Sequence, residues 1–207
     1  MATGPPTDPD ASERALRAQV KDALRQRIRA IRKTLPAEAH AKRSAAIAER
    51  VLALPELAAA ETIAAFVAIH REVDPRAIVE AAWARGKRVA LPRIDVEAQR
   101  IVLHLHAPGA PLEPSAFGVP EPLAEAPRVA PDAIGFVLVP ALAVDPRGHR
   151  IGYGKGFYDR LLPTLPRAVS CAVAFDFQLV SEVPELPGDH AVDLVVTDAR
   201  TLRRERS

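Results

Sequence analysis

Apolar residues in this chain recur with two different periods, and the change from one to the other marks out the elements. Leu16, Val20, Leu24, Ile28, Ile31 and Leu35 return every three or four residues, the spacing of one face of an α-helix. Asp10, with Glu13 three residues on, matches a capping box and opens that helix. Pro36 suits a first helical position and starts a second helix that runs to residue 53. Short continuous apolar runs then take over, and residues 62–69, 89–92, 136–140, 169–174 and 194–197 read as buried strands. Between the first two, Asp74 caps and Pro75 begins a helix that ends near Gly86. Residues 101–106 alternate apolar and polar like an edge or hairpin strand. His104 and His106 share one face of it and, with no third ligand in view, read as exposed edge histidines rather than a metal pair. Residues 111–131 are proline-rich and read as a loop too polar and broken to fold on itself, and residues 157–162 read as the first turns of another helix. Strands alternating with helices in this way predict an α/β fold, a mostly parallel sheet with helices on both faces.

Composition narrows the classes. Residues 1–10 read as a disordered N-terminal tail, and residues 11–207 as a single α/β domain without internal repeats. A formal charge of +2 over 207 residues gives no global basic field, which argues against a nucleic-acid partner. Positive charge is concentrated in the first helix, where Arg14, Arg17, Lys21, Arg25, Arg29, Arg32 and Lys33 surround the apolar stripe. Most of these read as a solvated face. Lys21 and Arg25, four residues apart, lie side by side and suit a polyphosphate. No aromatic interrupts the basic run to stack on bases. No apolar run reaches the ~20 residues of a membrane span, and the N-terminus lacks the basic-then-apolar order of a signal peptide. The lone cysteine, Cys171, sits in an apolar run and reads as a small buried hydrophobe. Together these features give a cytoplasmic protein with no membrane partner.

The chemistry concentrates in Arg150-Ile151-Gly152-Tyr153-Gly154-Lys155-Gly156-Phe157-Tyr158-Asp159. Glycines at alternate positions pack nothing; they open positive φ and let the backbone approach a ligand. A strand, a glycine loop and a helix start expose N–H groups to an anion. Lys155 adds a charge inside the loop, Arg150 flanks it, and Asp159 is placed to hold a divalent cation that bridges phosphates. The spacing matches neither the dinucleotide nor the P-loop signature. A plain glycine-rich turn would need none of the three charged residues, so a phosphate cradle is the better reading. Glu72 falls between a strand and the next helix, the ligand end of a parallel sheet, although an ordinary loop acid would sit there too. Phe117, a large aromatic in an irregular segment, either plugs the core edge or walls a pocket for a flat ring.

Lys21-x-x-Leu24-Arg25, Glu72-Val73-Asp74, Phe117-Gly118-Val119-Pro120-Glu121-Pro122 and residues 139–160 occur here in one order. Together they closely resemble the 5-formyltetrahydrofolate cyclo-ligase (5,10-methenyltetrahydrofolate synthetase) family over residues 21–197. The resemblance implies a three-layer α/β/α fold and an enzyme that uses ATP, magnesium and a reduced folate. It implies ATP binding by Lys21, Arg25, Arg150, Ile151, Gly152, Tyr153, Gly154, Lys155, Gly156, Phe157 and Tyr158. Folate binding is implied for Val67, Glu72 and Phe117, with Tyr153, Gly154, Lys155, Gly156 and Phe157 lining the same site. Asp159 and Asp189 match the magnesium ligands, and Lys155 and Arg150 the catalytic cations. Two positions depart from the pattern: Tyr153 stands where several members carry a third positive charge, and Gly188 where many bacterial members have histidine. The implied reaction closes 5-formyltetrahydrofolate to 5,10-methenyltetrahydrofolate in a monomer. A non-catalytic relative that binds folate or nucleotide is the alternative, and the intact phosphate and metal set argues against it.

Overall fold

The computed structural model describes residues 9–116 and 118–204. Among these residues five α-helices, α1 (Pro9–Thr34), α2 (Ala37–Leu52), α3 (Pro55–Ala59), α4 (Arg76–Ala84) and α5 (Phe157–Leu161), surround one large sheet. Its strands are β1 (Thr62–Ala64), β2 (Arg88–Asp95), β3 (Arg100–Leu105), β6 (Phe136–Pro140), β9 (Val169–Val173), β10 (Leu194–Val196) and β11 (Thr201–Arg203). Two small pairs lie outside it: β4 (Leu112–Pro114) with β5 (Pro120–Pro122), and β7 (Ala143–Val144) with β8 (Arg150–Ile151).

The large sheet runs β11-β10-β9-β6-β1-β2-β3; the five central strands are parallel and both edge strands antiparallel. Alternation along each strand builds two cores. Ile63, Val89, Phe136, Leu138, Cys171, Val173, Leu194 and Val196 pack beneath α2, α3 and α4. Their neighbours Ala64, Ala90, Val137, Val139, Ala172 and Val195 pack on the other face against Leu161, Leu162 and Leu165. Helix on sheet on helix is therefore a three-layer α/β/α arrangement, with each fully buried aliphatic contributing ~1.5–3 kcal/mol. Taken along the chain, the parallel strands have the order 2-1-3-4-5, so the winding reverses between β1 and β6. Ligands of such sheets sit at that reversal, beyond the carboxyl ends of the strands.

Four expectations are corrected. The stripe Leu16, Val20 and Ile31 of α1 is exposed, at 60%, 40% and 38%. Ile28 of the expected stripe is buried and Leu24 and Leu35 are half-buried, but Lys21 and Arg32 share the buried face, because this helix packs on a polar site and on the β7–β8 pair. Of residues 62–69 only Thr62–Ala64 stay in the sheet. After the Ala65 N–H bonds the Ala90 carbonyl (2.9 Å), the chain leaves through the reversal point. Residues 111–131 do fold on themselves, since β4 and β5 pair with Pro114 opposite Pro120 and Leu112 opposite Pro122. Prolines are tolerated there because the pair has no central strand to disturb, and Arg93 holds it through the Glu113 carboxylate and the Pro122 carbonyl (2.5 and 2.7 Å). His104 is buried, its Nδ1 2.7 Å from the Ala126 carbonyl, because residues 127–129 bond back to β3 and cover it. Residues 1–8 of the expected tail lie outside the described residues, while Pro9 and Asp10 already belong to α1. No described helix is long and apolar enough to cross a membrane.

Candidate active site

A cavity of about 500 Å³ opens at the reversal between β1 and β6. One wall is the strap after β1, which brings Phe66, Val67 and Glu72. The opposite wall is the glycine loop after β8, and α1 closes one side with Lys21 and Arg25. Of the expected site residues, all line this cavity except two. Ile151 turns its side chain into the core under α1, beside Ile28 and Leu142, and Phe117 lies outside the described residues.

The loop is set by its backbone. Gly154 (φ 93°) and Gly156 (φ 65°) occupy the left-handed region that favours glycine. Gly152 does not, and a Cβ there would meet open space. At the base of the loop the buried Asp145 carboxylate accepts the N–H groups of Arg147, His149 and Val183 (2.9, 3.0 and 3.0 Å). Arg25 reaches the loop from α1 by donating Nε to the Gly152 carbonyl (3.0 Å).

Most cations here are already engaged. The buried Lys21 ammonium bonds Asp189. Arg150 donates to the His190 carbonyl and, at 2.9 Å, to Asp159; burial pulls its pKa down against the pull of Asp159. Among the described residues Lys155 is the exception, exposed and with no protein partner for its ammonium. Asp159 Oδ1 also accepts the His190 N–H (3.2 Å), and Asp189 Oδ2 the Leu186 N–H (2.7 Å). These bonds leave Asp159 Oδ2 and Asp189 Oδ1 without a protein donor among the described residues. Two carboxylates with one oxygen to spare suit magnesium, which takes one or two carboxylates plus phosphates and water. They do not form a protein cage, and no group of three or more His, Cys, Asp or Glu occurs among the described residues.

The strap side is drier. Glu72 is buried; Oε2 accepts the Ile69 N–H (3.0 Å) and Oε1 has no partner. Burial raises its pKa, opposed by the Ile69 N–H, by Arg32 and by the Tyr153 hydroxyl that faces it. An unpartnered buried acceptor costs ~1–3 kcal/mol, which a ligand donor would recover. Burial likewise pushes the Tyr153 phenol up to about 12 and raises Tyr158.

Two residues escaped the sequence reading. Glu121 of β5 is buried at the cavity wall, accepting the Ile94 N–H at 3.2 Å, with its pKa raised by burial. It lay inside the Phe117–Pro122 motif, but nothing marked a proline-flanked acid as inward-facing. Arg32, read as part of a solvated face, is 1% exposed. Cys171 is buried as expected, and burial raises its thiol pKa well above the usual range.

Fold and cavity define the class first: a doubly wound α/β protein with a cavity at the strand-order reversal, between a cationic glycine loop and a buried carboxylate. More narrowly, the chain belongs to the 5-formyltetrahydrofolate cyclo-ligase family, whose model matches residues 17–198. The 5-formyltetrahydrofolate cyclo-ligase of Escherichia coli is 30% identical over 84% of this chain and 97% of that protein. That of Haemophilus influenzae is 28% identical over 84% and 94%. The NMR structure of Aquifex aeolicus 5,10-methenyltetrahydrofolate synthetase superposes with TM-score 0.79 at 33% identity, covering 91% of this chain and 95% of that one. A 5,10-methenyltetrahydrofolate synthetase from Mycoplasma pneumoniae shares the fold, with TM-score 0.71 at 24% identity.

Proposed function

We propose that this cavity converts 5-formyltetrahydrofolate and ATP to 5,10-methenyltetrahydrofolate, ADP and phosphate. The observation that carries the proposal is the opening of two unlike groups, the unpartnered Lys155 ammonium and the buried Glu72 carboxylate, on one cavity. A formamide oxygen leaves poorly. In this reading it attacks the γ-phosphorus of ATP and releases ADP. N-10 then attacks the resulting iminium carbon, the C–O bond breaks, phosphate departs, and the N-10 proton passes to solvent or phosphate. This chemistry is mostly positioning and charge neutralisation.

The residues divide the work by side. Lys155 meets the transferred phosphoryl group, since it is the cation with no protein partner to give up. Lys21 and Arg25 bring positive charge to the phosphate chain from α1. Arg150 orients Asp159 rather than reaching freely into the cavity. Asp159 and Asp189 would hold magnesium through their spare oxygens; the ion neutralises charge on the phosphate oxygens when bound. Glu72 accepts ring N–H groups of the pterin, with Val67 beside it. Phe117 is the aromatic we assign to the pterin face.

We take the protein to act as a monomer in the cytoplasm, whose reducing conditions suit the lone buried thiol. The test is the appearance of methenyl-folate absorbance from 5-formyltetrahydrofolate, with ATP and magnesium present together or each omitted. Activity only with both is expected; no product with both present would refute the proposal.

A further inference from the structure

Helix α1 sends a third cation, this one buried, towards the cavity, and the reaction described above gives it no task. Arg32 Nη2 donates to the Ile69 carbonyl (3.1 Å), the His70 carbonyl (2.5 Å) and the Tyr153 hydroxyl (3.2 Å). Those groups belong to both walls of the cavity: Ile69 and His70 to the strap, Tyr153 to the glycine loop. The strap segment that Arg32 grips is strained. His70 (φ 46°) and Arg71 (φ 60°) are successive non-glycine residues in the left-handed region, an arrangement that persists only when its surroundings impose it. The turn they form is closed by the Glu72 N–H on the Ile69 carbonyl (2.9 Å), and it returns the Glu72 carboxylate onto the Ile69 N–H (3.0 Å).

The way the guanidinium spends its donors is informative. Arg32 Nε and Nη1 and Glu72 Oε1 are all buried without partners. The arginine therefore grips the carbonyls beside the carboxylate and leaves Oε1 open. A closed salt bridge would have consumed the oxygen that a ligand needs.

We propose that Arg32 is a positioning residue for Glu72. It locks the 69–72 turn, and through Tyr153 it keeps the turn in register with the glycine loop. The inference rests on the function proposed above, in which Glu72 receives the folate. All three acceptors meet one nitrogen, whose two hydrogens they share; a lysine keeps the charge but replaces the rigid planar guanidinium with a rotating ammonium on a flexible stem, which does not hold that orientation.

The experiment has a kinetic arm and an activity-independent arm. In Arg32→Lys, KM for 5-formyltetrahydrofolate should rise at least tenfold while KM for ATP stays within twofold. The double variant Arg32→Lys/Glu72→Gln should be no worse than Glu72→Gln alone, since one residue acts through the other. A merely structural arginine would raise both constants together and give additive losses, and either result overturns the proposal. In the second arm, amide hydrogen exchange at Ile69 and Glu72 should accelerate at least tenfold in Arg32→Lys, with β6 amides unchanged. Unchanged protection at those two amides also overturns it. If wild-type protein fails to make methenyl-folate, the proposed function falls, and the exchange arm still decides the clamp. Should Arg32→Lys fail to fold, Tyr153→Phe removes one partner of the clamp and should raise the folate KM several-fold; an unchanged constant would count against the role.

Discussion

At the scale of the residue, Glu72 shows a site held at the expense of stability. Burial is the largest influence on its carboxyl and raises the pKa; the Ile69 N–H, Arg32 and the Tyr153 hydroxyl oppose this and do not cancel it. For an acid whose folded pKa is raised, ionisation disfavours the folded state. The penalty is absent below the ordinary carboxylate value of 4.5, grows as pH rises through the window above it, and is complete past the raised folded pKa. Glu72→Gln should therefore stabilise the protein by about 1 kcal/mol at neutral pH, the order of one buried unsatisfied group, and by nothing below the window. The same variant should raise KM for 5-formyltetrahydrofolate and leave that for ATP nearly unchanged. Thermal melts at pH 4 and pH 7.5, with steady-state kinetics, check both halves. A variant that melts lower at pH 7.5 than wild type would contradict the sign argued here. In the sequence Glu72 could be placed at the ligand end of the sheet, but its burial could not be read. That depends on a turn through two left-handed residues that carry no glycine signal.

At the scale of the element, α1 acts as a lever for the site. Lys21, Arg25, Ile28 and Arg32 follow one another at steps of four, three and four, so a single face delivers three cations. One aliphatic anchor sits among them. Ile28 packs with Leu142, Ala143 and Ile151, the foundation of the glycine loop. Ile28→Ala should cost ~2–4 kcal/mol by the usual toll of truncating a buried isoleucine, and should raise KM for ATP and folate together because all three cations ride on that contact. Leu16→Ala, on the exposed face, should change stability by less than ~0.5 kcal/mol. Urea denaturation of the two variants makes the comparison, and equal losses would mean that α1 is anchored elsewhere. The helix itself was plain from its period. Its orientation was legible only in part, because hydrophobicity assumes that the whole apolar stripe turns inward, and only Ile28 of it is fully buried. Here carbonyls and carboxylates at a cavity wall pair with buried cations and override that preference.

At the scale of the whole molecule, the winding of the sheet brings the strap after β1 and the loop after β8 to opposite sides of one opening. That meeting needs no metal to hold it. Asp159 is already bonded to Arg150 and Asp189 to Lys21, so neither carboxylate relies on an ion for its charge balance. Chelation should accordingly abolish turnover while shifting the melting temperature of ligand-free protein by less than about 1 °C, under the ~2 °C lower end for a 1 kcal/mol change in a domain of this size. Calorimetry with and without EDTA measures it; a large shift would assign the metal a structural part and undo the account of the two ion pairs.

The sequence by itself determined the alternation of strands and helices, the glycine loop with its flanking charges, and the family, since each is written in local spacing and residue type. Periodicity carries β6, β9 and β10 because their apolar runs are buried on both faces of a parallel sheet, and α1 and α2 because their spacing is helical. Only the tertiary structure decided which face of α1 is buried, that β1 stops at Ala64, that the proline-rich segment forms β4 and β5, and that Arg32 and Glu121 turn inward. Each of these is settled by partners far along the chain: Tyr153 and His70 for Arg32, Ile94 for Glu121, and the divergence of β1 and β6 for the strap. A charged residue is exposed or buried according to whether distant groups can complete its hydrogen bonds, and no window of neighbouring residues contains those groups.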